Sequence, residues 1–178
     1  DMFTKRDLDS GYDESKATKI KLSDSKTTVS GDGAKFSSEN GVNTVTITKE
    51  GTYILSGKLN GQVVVNTDKT AKVQIVLKGA TVSGKSTAAI YVKQADKVFL
   101  TLAPNSENTL TETGKFASDN SSTVDGVIFS KDDLSINGTG LLKISTESGH
   151  GVVSKDDLVI ASGTIEIKSS GHGLQGKD

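Results

Sequence analysis

The chain has 178 residues, with 19 glycines, a single proline, no cysteine, 33% hydrophobic residues and a formal net charge of −1. That length suits one domain with a full core, and near-neutrality excludes a global field that would draw nucleic acid or an anionic membrane. The lack of cysteine excludes a disulfide framework and any thiolate-ligated metal, and the opening Asp1-Met-Phe-Thr-Lys-Arg-Asp7 is too polar for a signal peptide or a membrane span.

In residues 1–25, Asp7, Asp9, Asp13 and Glu14 crowd around Gly11. The pattern resembles part of a calcium loop, but its glycine falls one place early and no closing glutamate follows. A solvated arm with turn-forming aspartates is expected instead. Ile20-Lys-Leu22 alternates as a short strand, and Val42–Ile47 and Thr52–Gly57 carry the β-branched residues that strands prefer. Gln62–Val65 with Lys72–Leu77, and Ala88–Val92 with Lys97–Leu102, read as couplets of strands joined at corners near Asp68 and Asp96. Between Ala103 and Thr123 the pattern breaks at Pro104, Asn105, Asn108, Asn120, Ser121 and Ser122, and an excursion is expected there, as a binding wall or a plain spacer.

From Asp125 onward the chain nearly repeats itself. Ser-Lys131-Asp132-Asp133-Leu returns as Ser-Lys155-Asp156-Asp157-Leu after 24 residues, and Lys177-Asp178 opens a third copy 22 residues later. Each copy alternates apolar residues, as in Leu134-Ser-Ile136 and Ile165-Glu-Ile167, with Asn137-Gly138 and Ser162-Gly163 read as turns. A period in the twenties, without helical periodicity or the leucine-rich pattern, predicts an all-β right-handed parallel β-helix (solenoid) with an irregular N-terminal cap. The expected division is an arm and cap over residues 1–39 and the β-helix over 40–178, truncated at its C-terminal end because Asp178 falls in mid-unit. Exposed rung edges there would allow self-association, or would mark a fragment of a longer chain.

Equivalent positions in stacked strands lie about 4.8 Å apart. Asp132, Asp156 and Asp178 should therefore form one ladder and Lys131, Lys155 and Lys177 another. Stacked carboxylates repel unless a cation compensates. Calcium, which takes several oxygen ligands, suits such a corner better than magnesium, while the plainer reading has Asp capping a turn and Lys neutralising it. His150 and His172 recur in matching Gly-His-Gly triplets, with Asp125 in the corresponding place one unit earlier. They offer either a transition-metal set or a solvent-facing corner.

Ser-Lys-Asp-Asp-Leu with Gly-His-Gly, preceded by Tyr53-Ile-Leu-Ser-Gly57 and Lys97-Val-Phe-Leu-Thr-Leu-Ala103, resembles the bacterial family of carbohydrate-binding domain-containing proteins, whose start Phe3-Thr-Lys-Arg-Asp7 also fits. The family is similar to family-9 pectate lyases. The resemblance implies an extracellular or surface-anchored β-helix that binds calcium and plant polysaccharide, polygalacturonate above all. On it, the calcium ligands would be Asp132, Asp133, Asp156, Asp157 and Asp178, with Lys131, Lys155, Lys177, His150 and His172 as carbohydrate contacts. No tryptophan is present and the aromatics are scattered, so a platform for a neutral crystalline glycan is not expected. Calcium-bridged or lysine-bridged recognition of an acidic polysaccharide, without cleavage, is the expected function. One alternative is pectate-lyase β-elimination, which needs a base with a lowered pKa; lysines bracketed by aspartates are poor candidates, and Arg6 is far from the repeats. The other is a structural surface fibre or adhesin subunit.

Overall fold

A computed structural model describes residues 3–116 and 124–177. Strands β1 (Thr18–Leu22), β2 (Thr28–Ser30), β3 (Ala34–Glu39), β4 (Val42–Ile47), β5 (Gly51–Asn60) and β6 (Gln62–Asn66) come first. They are followed by β7 (Lys72–Lys85), β8 (Ile90–Gln94), β9 (Lys97–Leu102), β10 (Glu107–Thr113) and β11 (Gly126–Ser130). The described chain ends with β12 (Asp133–Gly138), β13 (Leu141–Thr146), β14 (His150–Ser154), β15 (Leu158–Ile160), β16 (Thr164–Lys168) and β17 (Leu174–Gln175).

These strands form two sheets. A seven-stranded sheet runs in the order β17-β14-β11-β8-β6-β4-β3. In a ten-stranded sheet β15-β12-β9-β7-β10-β13-β16 form the main path, and β5, β1 and β2 branch from β7. The expected parallel β-helix with an irregular cap is corrected by this arrangement: the fold is all-β, in two sheets of mixed strand sense. β1 pairs antiparallel with β2, and β3 antiparallel with β4. The second pair turns at Asn40-Gly41, both residues at positive φ (52° and 76°). That is the backbone of a tight two-residue hairpin, for which Asn-Gly is the preferred sequence. Residues 18–39 thus contribute three regular strands, β1, β2 and β3.

β7 is 14 residues long because, on the edge away from β5, it serves two neighbours. Lys72–Leu77 pair with β9 and Thr81–Lys85 with β10, and Gly79 (φ 77°) lies between the two stretches. β10 also corrects the expected excursion: Glu107–Thr113 is a strand between β7 and β13, while residues 117–123 of that segment lie outside the described residues. The core fills the space between the sheets. Val45, Val63, Ile90, Ile128 and Val152 face it from one side, and Leu55, Ile75, Leu100, Leu134 and Leu142 from the other, all at most 1% exposed. Each such side chain contributes about 1.5–3 kcal/mol by leaving water.

The N-terminal arm is docked, not solvated. Residues Lys5–Leu8 form one helical turn closed by a capping box, in which the Thr4 N–H donates to Asp7 Oδ2 at 2.8 Å and the Asp7 N–H donates to Thr4 Oγ at 3.2 Å. Asp7, buried to 1% exposure, pairs with Lys97 Nζ at 2.7 Å. Burial pushes the Asp7 carboxyl up, but Lys97 and the Thr4 donors prevail and hold it below its ordinary value. Asn137, expected in a turn, is instead a buried residue of β12 whose amide donates to the Asp7 and Asp9 carbonyls at 3.1 and 3.2 Å. The calcium-loop pattern is dispersed: Asp9 accepts from the Gly11 N–H and Asp13 from Ser15, each closing a local turn.

Candidate functional site

Each Lys-Asp-Asp corner links a strand of one sheet to a strand of the other, and the serine before it shapes the turn. Ser130 Oγ, fully buried, donates to the Asp132 carbonyl at 2.6 Å, and the Asp132 N–H approaches the same oxygen at 3.3 Å. Ser154 Oγ repeats the arrangement with the carbonyls of Asp132 and Asp157 within reach at 3.1 and 3.2 Å. The corners are locked to one another as well. The Lys155 N–H donates to the Ser130 carbonyl at 2.8 Å, and the Lys177 N–H to the Asp156 carbonyl at 3.1 Å.

Asp133, Asp156 and Asp157 come together here, each placing a carboxylate oxygen within 4.8 Å of the others. Asp133 Oδ1 accepts the Asp157 N–H at 3.1 Å. Burial pushes the Asp133 carboxyl up; the Asp157 N–H pulls it back, and the charges of Asp156 and Asp157 push it up again. The balance lies above the ordinary 3.8. A set of close carboxylates with one member half-desolvated suits a hard divalent cation. Asp132 turns away from this set, its Oδ2 accepting the Ala95 N–H at 2.9 Å. Asp178 lies outside the described residues.

Among the described residues, Lys131 and Lys155 form no ion pair with these carboxylates. Lys131 and Lys155 extend over aromatic faces of the seven-stranded sheet, with Nζ 5.8 Å from the Tyr91 ring centre and 5.7 Å from that of Phe129. Lys177 is exposed. His150 opens β14 while Lys155 follows its end, so the strand keeps the histidines apart from the carboxylates. His150 and His172 do stack, with ring centres 5.3 Å apart and planes inclined by 13°. Asp125 Oδ2 stands 3.7 Å from His150 Nε2, although the register partner of His150 is Gly126.

Beside the carboxylates lies a trough of about 400 Å³ whose walls include Lys69, Lys93, Asp96, Lys131, Asp132 and Asp133. Lys69, Lys93 and Asp96 were not anticipated as site residues. A signal for them was present: Val92 pairs with Ser130, so Lys93 takes the place of Lys131 in the preceding corner. Its sequence, Lys93-Gln-Ala-Asp96, has lost the doubled aspartate that makes the later corners conspicuous. Asp96 is ion-paired with Lys72 at 2.5 Å. The trough therefore offers ammonium groups alongside carboxylates that a cation can neutralise, an arrangement able to hold polyanions and hydroxyl-rich chains.

Among known proteins, a family model described as carbohydrate-binding domain-containing protein matches residues 41–178. A carbohydrate-binding domain-containing protein of Acetivibrio thermocellus is 34% identical over 128 residues, 70% of this chain and 45% of that protein. The chain thus spans about half the length of this curated relative. A solved polysaccharide lyase-like protein from C. thermocellum, a gadolinium derivative, matches with a TM-score of 0.71 and 26% identity, covering 91% of this chain and 75% of that one.

Proposed function

The chain belongs to the carbohydrate-binding domain-containing protein family, and from that premise we propose that it binds an acidic polysaccharide of the polygalacturonate kind at the corner trough, through calcium and lysine together. The observation that carries this reading is the convergence of Asp133, Asp156 and Asp157 beside a trough walled by Lys69, Lys93 and Lys131. The three carboxylates supply hard oxygen donors for calcium, which in turn accepts uronate oxygens. The lysines neutralise uronates that the metal does not reach. An extracellular setting belongs to the proposal, since calcium sites of extracellular modules need bind only at about 10⁻⁴–10⁻³ M.

Calorimetric titration with calcium, followed by polygalacturonate, tests it. Binding of both that disappears in Asp156→Asn/Asp157→Asn supports the reading; polygalacturonate binding unchanged by that double substitution or by chelator sinks it. The lyase-like neighbour favours a second reading, β-elimination, and ultraviolet-absorbing unsaturated products in the same samples would establish it.

A further inference from the structure

The outward face of the seven-stranded sheet carries a row that the trough does not account for. Strand register places Thr46, Val64, Tyr91, Phe129, Val153 and Gln175 side by side, one per strand. Tyr91 is half-buried and is braced edge-on by Phe129, with ring centres 6.0 Å apart and an interplanar angle of 68°. A second row runs beside the first. Lys93, Lys131 and Lys155 each follow one of the register partners Val92, Ser130 and Ser154. Neighbouring lysines in it are thus about one strand spacing apart, about 4.8 Å, comparable to the length of one sugar unit.

At the N-terminal side of Tyr91 this face sinks into a cavity of about 330 Å³ lined by Gln62, Val64, Ser86, Thr87, Tyr91 and Lys93 among others. That size is at the lower end of the range for small-ligand pockets, about 300–1,000 Å³. Ser86 holds φ at 59°, a conformation uncommon outside glycine, asparagine and aspartate, and such outliers concentrate at binding sites. Lys93 lines both this cavity and the acidic trough, and Lys131, over Tyr91, lines the trough as well. The two hollows therefore meet at Lys93.

We propose that the Tyr91 cavity is a second saccharide subsite, in which the Tyr91 ring and Val64 stack against the apolar face of a pyranose, Gln62 and Thr87 meet its hydroxyls, and Lys93 pairs with its carboxylate. This inference rests on the acidic-polysaccharide reading above and extends it: the ligand is an oligomer long enough to cross from the calcium corner to Tyr91. An aromatic face contributes affinity to any pyranose, whereas a carboxylate contact with the exposed Lys93 selects the uronate.

The test is calorimetry with galacturonate oligomers of increasing length in the presence of calcium. The expected result is an affinity that rises about tenfold once the oligomer is long enough to reach Tyr91. Tyr91→Ala should abolish that rise while leaving calcium affinity unchanged, and Tyr91→Phe should preserve it. Gln62→Ala, at a half-exposed position, reduces the same increment and covers the case in which Tyr91→Ala fails to fold. A length-dependent rise that survives both Tyr91→Ala and Gln62→Ala overturns the subsite. If the parent protein binds no oligomer of any length, the polysaccharide reading itself has failed, and the subsite with it.

Discussion

The backbone N–H of His172 donates to Nδ1 of His150 at 2.7 Å, so the stacked imidazoles are also tied chain to ring. Nδ1 is an acceptor in this arrangement, and the ring proton sits on Nε2, facing Asp125. The glycine before His172 is required for the approach, because a Cβ on Gly171 would lie 2.4 Å from His150 Nδ1. Gly171→Ala and His150→Phe should each release the β14–β17 pairing locally, at about 0.5–1.5 kcal/mol. Hydrogen exchange at the Val152 and Leu174 amides should accelerate while the rest of the sheet keeps its protection. Unchanged exchange would mean that the histidines do not hold β17.

The Asp7–Lys97 pair ties the N-terminal arm to β9. Removing one member leaves the other charge with little access to water, so Lys97→Met should destabilise by about 3 kcal/mol in urea denaturation. Asp7 has a folded-state pKa below its unfolded value. Its contribution is therefore fully present above the ordinary aspartate value and lost as the pH falls through the folded one. Parent and Asp7→Asn stabilities should accordingly converge in acid and separate towards neutrality.

Asp133 has the opposite sign. Its carboxyl lies above 3.8 in the folded protein, so its ionised form costs stability above that folded value, and the cost is absent below the unfolded one. Without calcium, Asp133→Asn should raise the melting temperature at neutral pH. With saturating calcium the order should reverse, because the substitution removes a ligand oxygen. Calcium affinity of the parent should also begin to decline, on acidification, at a higher pH than an ordinary aspartate would give.

Ser154 touches no proposed ligand, yet its hydroxyl organises the carbonyls on either side of the carboxylates. Ser154→Ala leaves the carboxylates in place but removes their brace. We expect calcium affinity to fall about tenfold, the usual lower range for losing a supporting contact around a metal, with about 1 kcal/mol lost in folding stability. Affinity equal to the parent's would show that the corner holds its shape without the serine.

The repeated Ser-Lys-Asp-Asp was legible because backbone and side chain serve the same end there: serine closes the turn and the aspartates stand out of it. β10 was harder to see. Two of its inward residues are Asn108 and Glu112, both buried and hydrogen-bonded, so the apolar alternation that marks a strand is interrupted where it should be clearest. The β3–β4 hairpin was written in Asn40-Gly41, but a repeat in the twenties points to parallel stacking and leaves no place for an antiparallel pair. Tyr91 and Phe129 looked scattered because unequal lengths of chain separate the strands that bring them together. Register, a long-range property, makes them neighbours. The burial of Asp7 had no local signal, since its partner Lys97 lies far along the chain.

β7 has a consequence for how the molecule comes apart. One covalently continuous strand is bonded to β9 along its first half and to β10 along its second, so neither branch of the larger sheet can peel away without disturbing the other. Partial opening that stops at β7 has no natural boundary, and loss of structure should pass through both branches in a single cooperative event. The same strand joins β9, already paired with β12, to β10, already paired with β13, and pairings this distant in sequence make for slow folding.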